Sequence, residues 1–86
     1  MIAMESIFET IMTQEELNLF KTKTFSEEEI LNFKEDLIEY YENAGFDNVR
    51  ERAGYDKMTV EEIMKCVVAL MQEMINQQNE YFNEYR

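Results

Sequence analysis

Phe25-Ser26-Glu27-Glu28-Glu29-Ile30 is the stretch that decides the fold. A hydroxyl residue stands three positions before a glutamate, and an apolar residue flanks the pair on each side. At a helix start of this kind the hydroxyl accepts from the N3 amide and the glutamate reaches back to the cap amide. The flanking apolar residues close the turn as a hydrophobic staple. The pattern recurs at Met12-Thr13…Glu16-Leu17 and at Met58-Thr59…Glu62-Ile63. Three helix starts, no proline and only two glycines predict an all-α protein. The expected architecture is a small three- or four-helix bundle with a long C-terminal helix.

Working outward from Ser26, the residues Ile30, Phe33, Leu37, Tyr41 and Ala44 recur at helical spacing and form one apolar stripe. Glu27 to Glu29 suit the positive end of that helix. Gly45 is placed to end it in a left-handed turn, with Phe46 folding back. Thr59 opens the last helix, which carries a heptad pattern in two rows, Val60, Val67, Met74, Tyr81 and Ile63, Leu70, Gln77, Glu84, apolar for about two heptads and then polar. Met64 and Met71 widen this face. A further row, Val68, Ile75 and Phe82, repeats every seven residues about a quarter-turn away. Upstream, Ile2, Met4, Ile7, Phe8, Ile11 and Met12 predict a short helix over 2–12 that continues past Thr13 or restarts there. Residues 46–58 read as a connection, with Asp47 capping a short helical turn through Arg52 and Gly54 stopping it.

The chain of 86 residues reads as a single helical domain, 1–86, with a core worth ~3–5 kcal/mol of net stability. Nineteen acids against eight bases give a net charge of −11. Such a surface repels nucleic acid and anionic lipid and favours a basic partner. The single cysteine, Cys66, forms no intrachain disulfide and lies in an apolar run, which fits a core position and a reducing cytoplasm. No apolar run approaches the ~18 residues of a membrane span, and the first residues carry no basic or apolar leader pattern.

Chemistry finds little to work with. The chain has no histidine, so the commonest general base and transition-metal ligand are missing. Residues 47–58 lack the ligand register of a calcium loop, and Gly45 and Gly54 stand alone rather than in a phosphate-binding loop. No catalytic residue, cofactor or metal is expected, and the chain reads as a non-enzyme.

The functional signal is the acidic ridge. Residues 26–45 hold seven acids and one lysine, more than half of the net charge of the whole chain. Glu28, Glu35, Glu39 and Glu42 fall opposite the apolar stripe, with Asp36 and Tyr40 beside them. Carboxylates at i, i+4 and i+7 lie about 6–10 Å apart along a helix, close to the phosphate spacing of a nucleic-acid strand. The expected role is therefore binding to the basic surface of a nucleic-acid-handling partner: a nuclease, a defence complex or a transcription factor. Glu28, Glu35, Asp36, Glu39 and Glu42 would make the anionic contact, and Tyr40 would anchor it. Self-association is the alternative, with Val68, Ile75, Phe82 and Tyr85 forming a homodimer interface. Small, acidic, histidine-free and all-helical, the chain is similar in general character to the small inhibitors of phages and mobile elements.

Overall fold

Each boxed sequence starts a helix. In the computed structural model, which describes residues 6–84 and side chains through residue 80, Ser26 Oγ accepts from the Glu29 amide at 3.2 Å. The Ser26 amide donates back to Glu29 Oε1 at 3.2 Å. Thr13 and Glu16 repeat the exchange at 3.1 and 3.0 Å, and Thr59 and Glu62 at 3.2 and 3.1 Å. The residues before the caps, Met12, Phe25 and Met58, all pack on the core, and those at the fourth helical position, Leu17, Ile30 and Ile63, are buried. Both halves of the staple are thus in place.

The helices are α1 (Gln14–Thr22), α2 (Glu27–Asn43), the short α3 (Val49–Ala53) and the long α4 (Val60–Glu84), with a single 3-10 turn at Tyr55–Lys57. No strand occurs among the described residues. α1 and α2 both pack on α4, which is the spine, while α3 packs on α2. Leu17, Leu37, Ile63 and Val67 are fully buried, so each long helix supplies at least one residue to the centre. Rings of Phe20, Phe25 and Phe33 sit 4.9–5.8 Å apart and join α1, the following loop and α2. Across α1 and α4, Gln14 and Gln72 exchange two amide hydrogen bonds of 3.1 and 2.7 Å. Asn18 and Asn76 extend this neutral seam one turn along each helix.

α2 ends as its glycine predicts. The Phe46 amide donates to Tyr41 O at 3.1 Å and the Gly45 amide to Glu42 O at 3.0 Å. These are the paired bonds of a Schellman turn, with Gly45 at φ +100°. The Phe46 ring meets the Tyr41 ring edge-on at 6.0 Å, although Phe46 stays 58% exposed.

Two expectations are corrected. No helix forms over residues 6–12; a single turn, Glu9 amide to Ser6 O at 3.1 Å, leads into extended chain and then α1. The backbone there is engaged by the body of the protein: the Ile7 amide donates to Asp36 Oδ2 at 3.4 Å, and Phe8 is buried with its ring 5.7 Å from Tyr40. An isolated helix of this length gains too little to compete. Ile2 and Met4 lie outside the described residues. In the connection, Asn48 rather than Asp47 precedes α3; it adopts a left-handed φ of 56° and makes no side-chain cap bond. Gly54, at φ +70°, stops α3 as expected and turns the chain so that Tyr55 enters the core.

Candidate functional site

The outer face of α2 carries the acids, and the fold divides them. Glu35 is committed to α3. Arg50 grips its carboxylate with both terminal nitrogens, one at 2.9 Å to Oε2 and the other to Oε1. Arg50 also reaches Asp56 Oδ1 at 3.0 Å, and Lys34 reaches the same oxygen at 2.8 Å. Two bases and two acids therefore form one web that ties α2 to α3 and the 3-10 turn. The hydrogen bond from Lys34, assisted by that from Arg50, holds the Asp56 carboxyl below its ordinary value. The bonds to Glu35 and Asp56 hold Arg50 firmly protonated.

Asp36 is also engaged. It is half-buried beneath the N-terminal segment and accepts from the Ile7 amide. Burial pushes its carboxyl up; the Ile7 bond opposes this, and the neighbouring charges of Glu39, Glu35 and Glu9 add to it. Tyr40 lies on the same flank as Asp36. Its ring is half-buried between Phe8 and Tyr41, at 5.7 and 5.4 Å. It seats the N-terminal segment and also lines a recess with Ser6, Glu9 and Glu39.

Glu28, Glu39 and Glu42 remain. All three are exposed and make no ion pair among the described residues. They lie on one side of α2, and from Glu28 to Glu42 the row runs ~21 Å at the helical rise. Leu31, 40% exposed, lies on the same face. The face thus offers three unneutralised carboxylates and an apolar side chain on a rigid, doubly capped helix.

The residues of the self-association row separate. Ile75 is buried in the chain's own core, whereas Val68 is half-buried and lines an open groove. The side chains of Phe82 and Tyr85 lie outside the described residues. Cys66 is a free thiol, half-buried against the core. Among the described residues, no three Cys, Asp or Glu side chains gather as a metal-ligand cluster, and no helix is long and apolar enough to cross a membrane.

The density of acids over residues 26–45 and their helical spacing made the ridge visible. Which carboxylates it leaves free depends on Arg50 and Ile7, which are 15 and 29 residues away from their acids in sequence. A second feature went unseen in the sequence: Lys21, Lys23 and Lys65 gather around the groove that Val68 borders. Compared with family models, curated proteins and solved structures, the chain matches none of them.

Proposed function

We propose that this protein is a small, non-enzymatic binding protein that acts by occupying a basic, nucleic-acid-handling surface of a partner, such as a nuclease, a defence complex or a transcription factor. The observation that carries this reading is the set Glu28, Glu39 and Glu42, exposed in one row and unpaired among the described residues. Its charge is held on a preorganised helix, so docking costs little ordering entropy. Leu31 supplies an apolar contact in the same row. Glu35 is neutralised by Arg50 and Asp36 accepts from the Ile7 amide, so neither carboxylate is free for direct contact. A face of this kind steers a basic partner at low salt and loses it at high salt.

The test is capture of partners from a lysate on the immobilised protein, with elution by increasing salt, compared with the variant E28K/E39K/E42K. The expected result is a nucleic-acid-binding protein held at low salt, released at high salt and missing from the variant column. Added duplex DNA should compete for it. Identical capture by the variant, or no salt-sensitive partner, would overturn the reading.

A further inference from the structure

Away from the acidic ridge, an open groove of about 690 Å³ lies between the end of α1, the loop through Phe25 and the first half of α4. We infer that this groove docks an acidic amphipathic helix of a partner protein. Its floor is apolar: Val60, Met64 and Val68 follow i, i+4, i+8 along α4, with Phe25 and Ile30 opposite. The three α4 residues make a straight strip of ~12 Å, two helical turns long. Phe25, Val60, Met64 and Val68 are only half-buried, so the apolar strip is not closed by the chain itself.

The rim identifies the occupant. Lys21 and Lys23 come from the end of α1 and the residue after it and Lys65 from α4, all exposed and without an ion pair among the described residues. A chain of net charge −11 with eight bases thus places three of them around one apolar strip. Cations from both bordering elements call for anions on both flanks of the ligand. An alkyl carboxylate has one anionic end and answers only one element. A helix with an apolar stripe between two rows of acids answers both, and an open groove with a two-turn floor is the form in which helices dock. Glu61 is the one acid in the lining and suits a single basic residue at one end of the guest, which sets its direction. Met64 in the floor adapts its shape to differing apolar side chains.

The probe is a synthetic helical peptide of about 15 residues, with leucines at i, i+4 and i+8 and glutamates on both flanks. A second peptide carries lysines in place of the glutamates, and oleate serves as the alkyl carboxylate. Binding is followed by calorimetry and by the Met64 methyl resonance. The acidic peptide should bind and shift Met64, and K21E/K23E/K65E should weaken it roughly tenfold or more. V68E should block the floor independently, with helicity checked for both variants. The ridge variant E28K/E39K/E42K should bind the peptide undiminished, so this test can fail without touching the ridge reading. Equal binding of the lysine peptide, binding that survives all three lysine reversals, or binding of oleate alone would overturn the inference.

Discussion

Asp36 and Asp56 are displaced in opposite directions, and each gives a pH signature. Burial raises the Asp36 carboxyl above 3.8. Between the unfolded and folded values the folded state then binds more protons, so this group favours folding as the pH falls through that window and opposes it above. Asp36→Asn keeps an acceptor for the Ile7 amide and removes the charge. Its melting temperature should exceed that of the parent by a few degrees or less at pH 7 and equal it in strong acid. Asp56 is held below 3.8 by Lys34 and Arg50. Its contribution is present above the unfolded value and is lost as pH falls through the folded one. Asp56→Asn should therefore melt lower at pH 7, with the two curves converging at the acid end and drawing closer in high salt. Melting followed by circular dichroism over a pH series tests both. A third residue acts through backbone alone. A Cβ on Gly45 would meet nothing within 4 Å, yet φ is +100°, so Gly45→Ala should cost ~1–2 kcal/mol in urea unfolding.

At the scale of the element, the three boxes make the helix starts independent of their surroundings. Ser26→Ala should cost ~1 kcal/mol and speed amide exchange at Glu29. Glu29→Gln, which can still reach back to the cap amide, should cost less; equal losses would mean that the dipole rather than the box stabilises α2. This locality is why the helix starts were legible in the sequence, since every atom of the signal lies within six residues. The stretch before Thr13 shows the limit. Ile7 and Ile11 have helical spacing too, but Asp36 and Tyr40 claim the Ile7 amide and the Phe8 ring. Ile38 was hidden for a similar reason. It falls outside the i, i+3, i+7 stripe, yet it is buried one turn beyond Lys34 and Glu35, on the side of α2 that ties to Arg50 and Asp56. Tyr55 reaches the core only because Gly54 reverses the chain before it.

For the whole molecule, charge is a burden on stability as well as a surface property. With a net charge of −11, self-repulsion should outweigh the single web around Arg50. The melting temperature should therefore rise with sodium chloride from low ionic strength to about 0.5 M. In E28K/E39K/E42K each substitution changes the charge by two, which takes the net value from −11 to −5. That variant should melt higher at low salt and show a flatter salt dependence while losing the partner. A parallel loss of stability and binding would instead make the ridge part of the fold. The sum of charges was readable from composition. Its division into ridge, web and lysine-rimmed groove was not, because each region draws on residues from separate elements.

The amide seam between Gln14 and Gln72 has one more consequence. It ties the first helix to the last with neutral groups, so that joint is indifferent to whatever charges surround it. Among the described residues, α2 is bound by charge to α3 and the 3-10 turn only through Lys34 and Glu35. Mutations elsewhere on the acidic face can therefore accumulate, reverse or disappear without moving a helix. Under the proposed binding role, a lineage of such proteins is free to follow a changing target by redrawing its surface while inheriting the same scaffold.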